Sequence, residues 1–208
     1  MEKKKWLPGI RLNGEGIFIK FNPEAIDAWE ARVGNRYNKM KNAYDNSYIV
    51  EERFSERFVL LHTISHMLIR QLATECGYNA ASMKERIYCT FADTKSSDMA
   101  GILIYLAASD SDGSLGGLIS IAENASSIEN IFDNMLRKAL WCSGDPVCIN
   151  TEDQAIDSLN YSACHDCVLL PEVSCESRNV FLDRVSVIGK PENRDLGLFG
   201  IISENLGV

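Results

Sequence analysis

Apolar positions in this chain recur with two periods, and each period marks elements. Residues 10–21 read as a glycine turn followed by a strand, in which Ile17 and Ile19 alternate with Phe18 and Lys20. Asn22-Pro23-Glu24 is a helix start: Asn caps, Pro suits the first turn, and Glu favours the positive end. A polar helix is predicted from there to about Tyr44, with Arg32, Arg36, Lys39 and Lys41 on a solvated face. Ser55 opens a second helix that runs to Cys76-Gly77. Phe54, Phe58, Leu61, Ser65, Leu68 and Leu72 hold helical spacing, and Ile64 and Ile69 widen the stripe, so this helix belongs to the core. Gly77 is its expected C-cap.

Residues 86–91 read as a strand and 93–99 as a loop. Residues 101–108 are apolar on both faces, as in a central strand covered on two sides. Residues 109–117 form a turn-rich loop. Ser126-x-x-Glu129 is a capping-box pattern before Ile128, Ile131, Phe132, Met135, Leu136 and Leu140, predicting a helix that ends at Trp141. The cysteine-rich stretch 142–183 follows, and residues 184–208 are expected to add a last strand. The pattern predicts a mixed α/β fold: one domain over 1–208, with a small central sheet flanked by helices and a cysteine-rich zinc-binding module at 142–183.

Composition narrows the function classes. With 46% hydrophobic and 24% charged residues, the chain is globular in character. No run of about 18 apolar residues is present, and no apolar stretch follows the charged N-terminus. A cytoplasmic protein without membrane contact is expected. Twenty-one basic against 29 acidic residues give a formal charge of −8. Phosphate backbones bind by counterion release to Lys and Arg, so a protein partner is favoured over nucleic acid bound by this chain alone.

Seven cysteines change the picture most. In a reducing compartment, clustered cysteines read as metal ligands. Cys142, Cys148, Cys164, Cys167 and Cys175 compete for four places around one structural zinc. The Cys164-x-x-Cys167 pair sets two thiolates on one knuckle. Cys164, Cys167 and Cys175 are the firmest candidates, and the choice between Cys142 and Cys148 stays open. His62 and His66, four apart, share a helix face, but Thr63 stands where a zinc protease needs Glu. Partly buried histidines, hydrogen-bonded to neighbouring loops, are expected over a catalytic or ligand role. The loop 110–117 matches neither a phosphate loop nor a dinucleotide fingerprint, and Ile121 occupies the twelfth position where a calcium loop needs Glu. A turn is favoured there over a contact surface. Asp145, Glu172 and Asp183 are candidates to orient ligands or cap turns.

Taken together, Gly14-Glu-Gly-Ile-Phe, Leu61-His-Thr-Ile-Ser-His66, the segments 75–88, 101–105 and 113–117, Trp141-Cys-Ser-Gly-Asp-Pro-Val-Cys148, Ala163-Cys-His-Asp-Cys167, Pro171-Glu-Val-Ser-Cys175 and the segment 179–184 resemble the C-terminal domain of the DrmB family of the DISARM phage-defence system. The chain is more distantly similar to the zinc-binding domain that ends MrfA-type repair helicases. The likeness is collinear over residues 10–190. It implies a non-catalytic accessory subunit of a helicase-containing anti-phage or DNA-processing complex. The implied partner is a helicase subunit or the N-terminal portion of a longer DrmB chain, with DNA engaged through the complex. The five cysteines carry over as zinc candidates. Candidate partner or nucleic-acid contacts are His62, His66, Gly113, Gly116, Gly117, Arg178 and Arg184. Two alternatives remain open: an autonomous DNA-binding zinc module using Lys84, Arg86, Arg178 and Arg184, and a hydrolase using His62, His66, Asp110 and Asp112. No Gly-Lys-Ser/Thr is present, so ATP hydrolysis by a phosphate loop is not expected.

Overall fold

A computed structural model describes residues 14–48, 54–89, 99–106, 116–154 and 156–206. Its centre is one long helix, α3 (Glu56–Cys76). Ser55 caps it, its hydroxyl accepting from the Phe58 N–H at 3.0 Å, and Gly77 ends it in the left-handed region at φ 70°. Both ends fall where cap chemistry places them. Leu60 through His66 are all fully buried, so the middle of α3 is enclosed on every side rather than along one stripe.

One side of α3 is covered by a three-stranded sheet: β1 (Gly16–Lys20), β2 (Met83–Cys89) and β3 (Ala100–Leu106). The order is β1-β3-β2, with both pairings antiparallel. β3 is central, as its apolar run predicts. Its inner face, Ile102, Ile104 and Leu106, is buried, whereas Leu103 and Tyr105 on the other face are half-buried and Phe18 beside them is exposed. The expectation of a strand covered on two sides therefore fails, because an antiparallel sheet can leave one face to solvent.

The single helix predicted over 22–44 is two helices, α1 (Pro23–Val33) and α2 (Asn38–Asp45). Gly34 takes φ 52° and its N–H bonds back to Glu30 O, a glycine cap that stops α1 before the polar pattern ends. The turn it starts carries Arg36 inward, not onto a solvated face: its side chain is 7% exposed and paired with Asp183. α4 (Gly117–Ala122) begins where only a turn is expected. α5 (Ala125–Ala139) is capped by Asn124, whose side chain accepts from the Ser126 N–H at 3.1 Å; Ser126 is inside the helix, so the capping box is shifted.

Beyond the short helix α6 (Val147–Asn150), the chain is mostly turns. Residues 184–206 form no strand. They make α7 (Val185–Ile188), a 3₁₀ turn and α8 (Gly200–Leu206), with one isolated bridge between Lys190 and Asn193. Backbone is packed against backbone there: a Cβ on Gly197 would lie 2.2 Å from Gly189 N, so no side chain fits. The Trp29 indole N–H donates to Leu196 O at 2.8 Å and ties this segment to α1. Among the described residues, no helix is long and apolar enough to cross a membrane.

Candidate metal centre

The turn-rich stretch after α5 brings four thiols together. Cys142 follows α5, Cys148 sits in α6, and Cys164 and Cys167 share one tight turn. Sγ separations are 3.4 Å for Cys142–Cys164, 3.5 Å for Cys164–Cys167 and 3.7 Å for Cys148–Cys167. All four sulfurs lie within 4.8 Å of one another. Zinc bonds four thiolates tetrahedrally at about 2.3 Å, which sets sulfur–sulfur edges of about 3.8 Å. The four thiols fit such an ion with a few tenths of an ångström of expansion.

Backbone geometry prepares the sulfurs for negative charge. The Cys164 N–H points at Cys167 Sγ at 3.3 Å, and the Gly144 N–H at Cys142 Sγ at 3.4 Å. Three N–H groups, of Cys167, Val168 and Leu169, fold back on Cys164 O and close the knuckle. Left to themselves, Cys148 and Cys167 share protons unevenly. The hydrogen bond from Cys148 is the largest of the effects that hold Cys167 down to about 5, while the same contact pushes Cys148 up. A cation is what lets all four ionise together.

Charged side chains fasten this centre to the body. Asp145 accepts the N–H groups of Cys142 at 3.1 Å and Ile149 at 3.0 Å, and pairs with Arg184. Arg184 is fully buried and also donates to Ala139 O at 2.9 Å. Arg70, on α3, donates to the carbonyls of His165, Asp166 and Leu169 at 3.1, 2.7 and 3.0 Å, clasping the knuckle onto the central helix. The sequence marks Asp145 as a candidate to orient ligands or cap turns; it does not mark Arg70. Asp183 lies deeper, bonded to Arg36 and Tyr37, and Glu172 is exposed at a 3₁₀ turn.

Cys175, one of the firmest candidates for the same zinc, is elsewhere. It joins His62, His66 and Glu85 in a second cluster whose ligand atoms also lie within 4.8 Å of one another. The chain leaves Cys175 through residues in the left-handed region, Arg178, Asn179 and Phe181. His62 and His66 are fully buried, hydrogen-bonded histidines. As partner contacts they are therefore corrected, and so is Arg184: none of the three reaches the surface. Gly113, with Asp110 and Asp112, lies outside the described residues. Arg178 is exposed.

Gly116 and Gly117 turn their backbone inward. Glu15 accepts the Gly116 N–H at 2.8 Å and the Tyr78 hydroxyl at 2.6 Å, and that hydroxyl accepts the Gly117 N–H at 3.1 Å. Three of the sequence motifs thus meet in one anchor around a carboxylate that is 5% exposed. Glu15→Ala leaves these donors unpaired and should lower stability by about 2–3 kcal/mol, read from the midpoint of urea unfolding. A shift under a tenth of the midpoint would mean that water replaces the carboxylate.

Glu85 is absent from the sequence-derived candidates. Its signal is weak but present: Met83, Glu85, Ile87 and Cys89 alternate on one face of β2, and Glu85 is the charged residue among them. A carboxylate on the inner face of a strand marks a site rather than a core.

A model of the MrfA Zn-binding domain family matches residues 64–168, half of the chain. The DISARM protein DrmB of Bacillus paralicheniformis is 37% identical over 190 residues, which is 87% of this chain and 32% of that protein. The chain therefore spans about a third of that relative's length.

Proposed function

The chain belongs to the MrfA Zn-binding domain family, and from that premise we propose that it is a non-catalytic accessory module of a phage-defence complex, docking on a helicase subunit. Zinc is its cofactor, and Cys142, Cys148, Cys164 and Cys167 hold it. The observation that carries the proposal is the closed sulfur set. Four thiolates fill a tetrahedron and leave no vertex for water or substrate, which is the character of a structural rather than a catalytic zinc. The zinc then fixes the turn-rich stretch as a rigid surface on α3.

The similarity to DISARM protein DrmB supports the defence setting. Net charge supports a protein partner, since −8 opposes a phosphate backbone at long range. The autonomous DNA-binding alternative loses Arg184 to the interior, and Arg86 is paired with Glu176 at 2.9 Å. The hydrolase alternative rests on histidines without solvent exposure. The test is co-expression of the tagged chain with the helicase encoded beside it, followed by gel filtration at physiological salt. Co-elution as one stoichiometric complex is expected. Separate elution of a folded, zinc-loaded chain would refute the proposal.

A further inference from the structure

We propose that His62, His66, Glu85 and Cys175 bind a second zinc ion, apart from the four-cysteine centre. Two imidazoles, a carboxylate and a thiolate are all zinc ligands, and four of them complete a tetrahedron. His62 and His66 stand one turn apart on α3 and project from one face. Glu85 points inward from β2, and Cys175 comes from the loop before α7.

The separations suit one ion. His62 Nε2 lies 3.2 Å from Cys175 Sγ and 3.0 Å from Glu85 Oε1, and His66 Nε2 lies 3.4 Å from the same oxygen. Zinc bonds of about 2.0–2.3 Å set ligand–ligand edges of about 3.3–3.6 Å. Two of these separations fall a few tenths of an ångström inside those edges and the third matches them.

The surrounding groups orient three of the four ligands for a cation. His66 Nδ1 faces Val168 O at 3.1 Å. A carbonyl only accepts, so Nδ1 carries the hydrogen and a neutral ring turns the lone pair of Nε2 toward the cluster. Nε2 is fully buried and has no hydrogen-bond partner. A ring nitrogen anchored by a carbonyl on its far side is the usual support of a metal-bound histidine. Ser65 Oγ donates to Glu85 Oε2, leaving Oε1 toward the histidines. The N–H groups of Ser177 and Asn179 point at Cys175 Sγ at 3.3 and 3.2 Å, the same backbone support that Cys142 and Cys167 receive.

Charge closes the account. Zinc with one carboxylate, one thiolate and two neutral imidazoles is electrically neutral, which suits ligands whose burial is complete for His62, His66 and Glu85. Binding displaces the Cys175 thiol proton to solvent. The ion would join α3, β2 and the 175–179 loop, and Val168 would link it to the neighbouring cysteine centre through one residue. With four protein ligands it is a structural site.

Native mass spectrometry of the purified chain tests this directly. Two zinc ions per folded chain are expected. Glu85→Gln, which keeps shape and hydrogen bonding, and Cys175→Ser should each reduce the count from two to one. One zinc in the wild-type chain at full occupancy of the cysteine centre would overturn the proposal, as would a second metal other than zinc. Should both variants fail to fold, the wild-type count decides alone; variants that fold and keep two zinc ions would overturn it too.

Discussion

Cys167→Ser should abolish zinc binding at the four-cysteine centre and, with it, the cooperative fold. Cys167 touches two of the other three sulfurs, at 3.5 and 3.7 Å, and its own sulfur receives a backbone N–H. A structural zinc contributes about 10–16 kcal/mol of apparent binding free energy at neutral pH, while a domain of this kind is stable by about 5–15 kcal/mol in total. Losing the ion therefore removes most or all of the margin. The stretch it staples has little regular structure of its own: among the described residues, 142–183 contains one turn of α-helix, short 3₁₀ turns and one isolated bridge. The expected result is loss of one zinc together with loss of the cooperative thermal transition. Cys76→Ser is the matching control, because Cys76 is outside both clusters; it should keep full zinc and stay within about 1 kcal/mol of wild type. A Cys167→Ser protein with full zinc and an unchanged melting temperature would show that the ligand set is wrong.

Asp183→Ala should cost about 3–5 kcal/mol without touching a proposed zinc ligand. Asp183 is fully buried and accepts from Arg36 Nε and Nη2 at 3.0 and 2.9 Å and from the Tyr37 hydroxyl at 2.8 Å. Its other oxygen accepts the Val185 N–H at 3.1 Å at the start of α7. Burial opposes the charge on Arg36, but Asp183 and its neighbours outweigh it and hold the guanidinium charged. Burial and the same carboxylate push the Tyr37 hydroxyl up, so it stays protonated. Removing the carboxylate leaves the buried Arg36 with only the partly exposed Glu152, at 3.0 Å, as its ion-pair partner, and breaking one partner of a buried pair is expensive. For a chain of this length the melting temperature should fall by on the order of 10 °C. The exposed pair of Lys39 with Asp153, at 3.1 Å, provides the contrast. Lys39→Ala should leave the melting temperature essentially unchanged, because solvent already screens the pair. Equal effects at the two sites would refute the assignment of Asp183 as a buried junction.

Where local chemistry decides, the chain was legible. Ser55 and Gly77 mark both ends of α3, and the apolar run at 101–108 marks the central strand. The knuckle of Cys164 and Cys167 marks zinc. What could not be read were tertiary choices. Gly34 divides a polar helix because the chain must return Arg36 to Asp183, almost 150 residues away, and periodicity holds no record of that pairing. Asn124 outcompetes Ser126 as a cap because both are good caps two residues apart. The allocation of cysteines is the clearest case. Five candidates within one stretch suggest one centre, and spacing alone cannot assign Cys175 to a helix one hundred residues earlier. Its ligand partners in the second cluster, His62 and His66, were visible as an i, i+4 pair; Glu85 was hidden because the strand reads from residue 86 on, whereas β2 begins at Met83.

The central claim is that Cys142, Cys148, Cys164 and Cys167 enclose zinc while Cys175 stands apart from them. An anomalous difference map from crystals of the chain, collected at the zinc edge, tests it most directly. The account predicts a peak equidistant from those four sulfurs at about 2.3 Å from each. A peak bonded to Cys175 in place of one of the four, or no peak between them in a folded protein, would contradict it.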